Sequence, residues 1–247
     1  MNDSDESIWI EKYFDTIKNY FKDEKYQEFL RSTLEIYRVN KYPPFVFCLS
    51  ASKDILSQWR AYSQDGQGVC LSFNTKHLKF KQEIPSPNVY AHQTLGLAKV
   101  EYYNYSQKNK ILEICKKFKK QFDLKAPKGE DAFLSIDFGL AIVNWSLVFK
   151  NSNFREEREW RIIHTPGYGS IKYEEPLANL SNLEFRLSQG KIVTYYNYCF
   201  DTDFTSACID EIILGPKCKM NIEEVRTFLE HNNLNRTRIT QSKSTYR

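Results

Sequence analysis

The run from Ala132 to Phe149 constrains this chain most, because it is nearly apolar on every side. A helix with no polar face must be wrapped, either by other elements of a fold or by lipid. Its length alone would admit a membrane span. Asp137, Asn144 and the charged flanks instead place it at the centre of a folded core. Material for wrapping it is ample, since the chain holds 17 Phe and 16 Tyr in 247 residues. Only 9 Gly and 8 Pro argue against a linker-rich or disordered protein. One domain spanning 1–247 accommodates this, with a helical segment at 1–40 and a polar tail at 236–247.

Around that helix the pattern alternates between helical and extended. Ile8, Trp9, Tyr13, Ile17 and Tyr20 recur at helical spacing, as do Phe29, Thr33, Ile36 and Tyr37, and Asp3, Ser4 and Asp5 are suitable caps for the first helix. After Pro43-Pro44, the segment Phe45–Ser50 reads as a buried strand. A short helix DILSQWRAY follows, capped by Ser52 or Asp54, then an Asp65–Gly68 turn and a strand at Val69–Phe73. Pro85 and Pro87 mark a loop. Leu97–Tyr103 reads as a strand, and Ser106–Phe122 as an amphipathic helix with a lysine-rich solvent face. Pro166, Gly167 and Gly169 break the chain later. Leu183–Leu187 and Ile192–Phe200 form a strand pair about Gln189-Gly190. Ile209–Leu214 is a strand, Asn221 caps a helix to about His231, and Arg238–Thr240 is a last strand. The sum is an α+β fold, a mixed or antiparallel sheet with helices packed on it.

The chemistry concentrates in Phe154–Thr165, FREEREWRIIHT. At a period of two, Glu157, Glu159, Arg161 and Ile163 share one face, while Arg158, Trp160 and Ile162 share the other. The second face packs through Trp and Ile. The first presents two carboxylates and a guanidinium about 7 Å apart in sequence. Such a row is either an ion-pair ladder or a site.

Other chemistries have little support. No phosphate-cradling glycine loop, Walker pattern, HExxH or GxSxG is present. Six cysteines without a CxxC pair and four histidines without metal spacing predict free thiols, no metal and a reducing cytoplasm, with Cys48 and Cys70 acting as small hydrophobes. His164 at a strand end reads as hydrogen-bonded structure rather than a base. A net charge of +4, scattered among acidic residues, is weak evidence for a nucleic-acid partner. What remains is Ser50-x-Ser52, then Trp59, Arg60 and Tyr62 on a short helix, then Glu157, Glu159 and Arg161. Hydroxyls, an aromatic platform, guanidiniums and carboxylates suit an anionic, base-containing nucleotide. The alternative is that Trp59 and Trp160 are core residues and Arg60 and Arg161 pair with the glutamates.

The segments FVFCLSASKDILSQWRAYSQDGQGVCLSF, FREEREWRIIH and IILGP together resemble the bacterial domain-of-unknown-function family 2971, over roughly residues 1–235. Members usually begin with an extra strand, and the Met1–Glu6 segment resembles a turn that follows it. The resemblance therefore implies that this chain starts after that strand and that its function is incomplete without it. The order of Ser-x-Ser ending a strand and Glu-x-Glu opening a later one also resembles ADP-ribosyltransferases of the arginine–serine–glutamate type. That resemblance implies NAD as substrate, Ser50 and Ser52 as the serine motif, Glu159 as the catalytic carboxylate and Glu157 as the residue orienting a protein or nucleic-acid acceptor. The first motif of those enzymes has no counterpart here. The leading expectation is an NAD-using ADP-ribosyltransferase-like protein of the toxin or phage-defence kind, with Trp59, Arg60 and Arg161 binding the nucleotide. The alternative is a non-catalytic nucleotide- or partner-binding module, and a nuclease has the least support.

Overall fold

The computed structural model describes residues 6–40, 44–74, 80, 84, 94–129, 131, 133–166, 180–199 and 208–245. In chain order the helices are α1 (Phe14–Tyr20), α2 (Gln27–Val39), α3 (Leu56–Tyr62), α4 (Asn104–Lys125), α5 (Leu134–Ser146) and α6 (Ile222–His231). The strands are β1 (Phe45–Ser50), β2 (Val69–Phe73), β3 (Leu95–Lys99), β4 (Glu159–His164), β5 (Glu184–Ser188), β6 (Lys191–Tyr195), β7 (Ile209–Leu214) and β8 (Arg238–Gln241). The class is α+β, as the pattern predicts. Among the described residues the strands form three sheets rather than one: β1-β4-β3, β2-β7-β8 and β5-β6. The chain divides into two compact units, 1–49 with 81–173 and 50–80 with 174–247.

In the first unit α5 is the centre that its composition demands. Phe138 stacks on Phe29 of α2 (5.8 Å between ring centroids) and on Phe118 of α4 (4.8 Å). Gly139 is where α2 and α5 press together. A Cβ there would stand 2.6 Å from Ile36 Cγ2 and 2.8 Å from the Thr33 carbonyl oxygen, so only glycine permits the approach. Leu134, Phe138, Ile142 and Asn144 are buried, but Phe133 and Ile136 at the start of the helix are exposed. The helix is thus central to the core without being buried on every side, since Ala141, Val143 and Trp145 are half-buried as well. Among the described residues no helix is long and apolar enough to cross a membrane.

Strand β4 is the middle strand of the first sheet and pairs antiparallel with β3, from Leu95 opposite His164 to Lys99 opposite Trp160. Its Ile163 is fully buried in the helical core. On the other side lies β1, at the sheet edge. Contrary to the buried strand that its apolar run predicts, Phe47 and Cys48 are exposed. An edge strand has one neighbour instead of two and need not be covered on both faces.

In the second unit β2 pairs antiparallel with β7, and β7 pairs parallel with β8 through the α6 crossover. Leu229 of α6 closes on Ile212 and Leu214. Asn221 caps α6 as expected, its side chain accepting from the Glu223 amide at 2.9 Å. Helix α3 departs from expectation. Its N-cap position is Ile55, with no side-chain cap, and Asp54 is turned away into left-handed backbone (φ 58°). At the other end of α3, the Gly66 turn lies under Gly215, where a Cβ would fall 2.3 Å from the Gly66 carbonyl oxygen. Gln189 and Gly190 take positive φ (49° and 75°), which suits the two-residue hairpin joining β5 to β6. The proposed caps Asp3 to Asp5, Pro43, the Pro85–Pro87 loop, and the break at Gly167 and Gly169 lie outside the described residues.

Candidate functional site: a buried ion-pair cluster

The extended reading of Phe154–Thr165 runs one turn too far. Ser152–Glu157 is a 3-10 helix, capped by the Asn151 side chain accepting from the Asn153 amide (3.0 Å). Arg158 then takes left-handed backbone (φ 45°), and β4 begins only at Glu159. Glu157 therefore belongs to the helical turn and Glu159 to the strand. The face carrying Glu159, Arg161 and Ile163 points inward, and Trp160 is only half-buried. The other face packs in part as expected, since Ile162 is buried, but the charged face is buried as well instead of lining an opening.

Charges inside a core must be matched. Arg161 is 1% exposed and Glu159 5%. Arg161 Nε donates to Glu159 Oε1 at 2.8 Å and Nη2 to Oε2 at 3.0 Å, the bidentate fork that fits a carboxylate. Its Nη1 donates to the Leu147 carbonyl at 2.7 Å. Lys150, equally buried, donates from Nζ to Glu159 Oε2 (3.1 Å) and to Glu157 Oε2 (2.7 Å), and sits 4.9 Å from the centre of the Phe154 ring. Two cations thus meet two carboxylates in one buried cluster.

Burial alone would raise the Glu159 carboxyl. Hydrogen bonding and charge from Arg161, with the Cys48 thiol and Lys150 adding to them, instead hold it below its ordinary value. The Glu159 amide donates to the Tyr102 hydroxyl at 2.9 Å, and burial pushes that phenol up to about 12.

Lys150 and Gln107 are the members that the sequence did not suggest. Lys150 follows directly on the apolar run, where Glu101 and Phe149 bridge and its amide donates to the Glu101 carbonyl (3.1 Å). Gln107, fully buried on α4, sets that junction with all four of its hydrogen-bonding positions. Its Nε2 donates to the carbonyls of Glu101 (2.5 Å) and Lys150 (3.0 Å). Its Oε1 accepts from Trp9 Nε1 (3.1 Å) and the Tyr13 hydroxyl (2.8 Å). His164, at the far end of β4, is buried against Thr94, with Nδ1 3.3 Å from both the Thr94 carbonyl and its hydroxyl. Burial lowers it to about 4, as befits the structural role read from its position.

The other nominated residues fall in the second unit. Ser50 is exposed, and its hydroxyl accepts from the Ser52 amide (3.1 Å) and Gln58 Nε2 (3.0 Å). Ser52 is half-buried and Arg60 exposed. Trp59 is 3% exposed and donates from Nε1 to Asp54 Oδ1 at 2.8 Å, so its ring faces are packed rather than offered to a base. Asp54 also accepts from the hydroxyls of Ser242 and Ser244 and from the Lys243 amide (2.8 Å), pinning the segment after β8. All six cysteines are free thiols, as predicted, but Cys48 is exposed rather than a buried hydrophobe. Among the described residues no group of three His, Cys, Asp or Glu side chains could hold a metal ion.

Fold and cluster together define an α+β protein with a buried ion-pair network on the middle strand of one sheet. Residues 58–162 match the model of the family described as Protein of unknown function (DUF2971). The match takes in Trp59, Arg60, Gln107, Lys150 and Glu157 to Arg161. It is narrower than the resemblance read over 1–235 and leaves out Ser50 and Ser52. Neither the search of curated proteins nor the search of solved structures returned a match.

Proposed function

We propose that this chain is a non-catalytic nucleotide- or partner-binding module, in which Glu157, Glu159, Arg161 and Lys150 serve the fold. The closure of Glu159 carries this reading. A carboxylate that stabilises positive charge on a ribose must face that ribose, and must act more strongly on the transition state than on the ground state. Glu159 has both oxygens committed to Arg161, shares one with Lys150, and is buried. Groups suited to an anionic ligand stand elsewhere, on the second unit, where Ser50 and Arg60 are exposed.

A second reading is NAD-dependent ADP-ribosyl transfer to a protein or nucleic-acid acceptor, in a toxin or defence setting. It draws support from the strand order, since β1, ending at Ser50, neighbours β4, opening at Glu159. Nicotinamide release and calorimetric titration with NAD separate the two. The module should release no nicotinamide, and Arg60→Ala should weaken nucleotide binding without moving the melting curve. Turnover by the wild-type chain that Glu159→Gln abolishes while melting normally would establish the transferase instead.

A further inference from the structure

We propose that the outward face of α4 binds single-stranded nucleic acid. This goes beyond the module reading and holds whether or not Glu159 reacts, because it rests on a different element. From Asn104 to Lys128 the chain carries eight lysines against Glu113 and Asp123, a formal +6 in a protein of +4. Both carboxylates are already engaged, Glu113 by Lys110 at 3.4 Å and Asp123 by Lys25 and the Tyr26 hydroxyl, each at 2.7 Å. Lys108, Lys116, Lys120 and Lys125 are exposed, and among the described residues no carboxylate pairs with them. The positive charge of this face is therefore uncompensated.

The spacing arranges it. Steps of three and four residues put Tyr105, Lys108, Leu112, Lys116 and Lys120 in one stripe, about 22 Å long at 1.5 Å per residue. Tyr105 at its head is 79% exposed and Tyr103 just before it 63%. A row of ammonium groups tracks a phosphate backbone, and open rings stack bases that are not already paired. A duplex offers the phosphates but not the ring faces. A membrane fits less well, because an interfacial helix inserts an apolar face. The apolar face of α4, through Ile111, Ile114, Cys115 and Phe118, is already packed into the core of its own unit.

The test is fluorescence anisotropy of the full chain with a labelled twelve-residue oligothymidylate across a salt series. Three or four lysine–phosphate contacts should give a log–log salt slope of about −2 to −3. Lys116→Glu with Lys120→Glu should lower affinity by about tenfold or more at fixed salt and flatten that slope. Tyr105→Ala should lower affinity by roughly five- to a hundredfold and leave the slope alone. Melting curves of all variants should match the wild type, since none of these side chains is buried. Absence of binding at low salt, or binding indifferent to the charge reversal, overturns the proposal. So does equal affinity for polyglutamate or phosphatidylserine vesicles, or an affinity that Tyr105→Ala leaves unchanged.

Discussion

Arg161 grips Glu159 from two residues further along the same strand, both Nε and Nη2 reaching the carboxylate at 2.8 and 3.0 Å. Its third nitrogen holds the Leu147 carbonyl, so one guanidinium ties β4 to the end of α5. A lysine has neither the fork nor the reach to make these bonds together. Arg161→Lys keeps the charge and should still destabilise the protein by about 1.5–3 kcal/mol, the scale of a charged hydrogen bond lost in a buried setting. Urea denaturation checks this, and a variant as stable as the wild type would show that charge alone suffices.

Gln107 acts on the same junction from α4. Gln107→Leu fits the volume but takes the amide away from the Lys150 carbonyl and the Trp9 indole N–H, while the Glu101 carbonyl keeps the Lys150 amide and the Tyr13 hydroxyl keeps the Asn104 carbonyl. Each buried orphan costs about 1–3 kcal/mol. The expected loss is at least about 2 kcal/mol in denaturant melts, with Trp9 fluorescence shifting as well. A change below about 1 kcal/mol would mean that water replaces the amide.

His164 links the fold to pH. Its folded value of about 4 lies below the ordinary 6.5, so between these values the unfolded chain binds the extra proton and the native state does not. The neutral ring's contribution is complete above pH 6.5 and is lost as pH falls toward 4, by about 3 kcal/mol in all. His164→Asn can keep a donor toward the Thr94 carbonyl without titrating. The stability difference between the variant and the wild type should therefore shift by that amount between pH 7 and pH 4. Parallel curves would remove His164 from the acid response.

Much of this fold was legible because it is written in local pattern. The all-round apolar run must be wrapped, Asn221 caps α6, and Gln189-Gly190 turns the hairpin. The cluster was legible only in part. Glu159 and Arg161 show their shared face through a two-residue spacing, but Arg158 interrupts the strand reading with a left-handed backbone that nothing in Glu-Glu-Arg announces. Lys150 lies ahead of the 3-10 helix Ser152–Glu157, so no strand periodicity connects it to Glu159. Gln107, within a lysine-rich helix, looks like part of a solvated face until tertiary packing buries it. Trp59 bears the same lesson, since an indole suits a base platform or a core equally, and only Asp54 decides between them.

Asp54 should matter to the second unit as Gln107 does to the first. It takes bonds from Trp59, Ser242, Lys243 and Ser244. Burial opposes its charge, but the bonds from Ser242, Trp59, Lys243 and Ser244 outweigh this and hold the carboxyl below its ordinary value. Asp54→Ala removes the acceptor and places alanine at φ 58°, whereas asparagine tolerates that backbone and retains one oxygen. Hydrogen exchange at the Lys243 amide should accelerate strongly in Asp54→Ala and less in Asp54→Asn. Equal protection in both variants and the wild type would dissolve the clamp.

The most direct measurement is the unfolding free energy of Glu159→Gln beside the wild type. The substitution preserves shape but removes the carboxylate charge that Arg161 and Lys150 share, while Lys150 keeps Glu157. Unpairing a buried charge costs about 3–5 kcal/mol, which in a chain of this size is a fall in melting temperature of about 10 °C. That loss is the expected result for a network that serves the fold. A Glu159→Gln protein that melts with the wild type would contradict it and return Glu159 to the list of reacting groups.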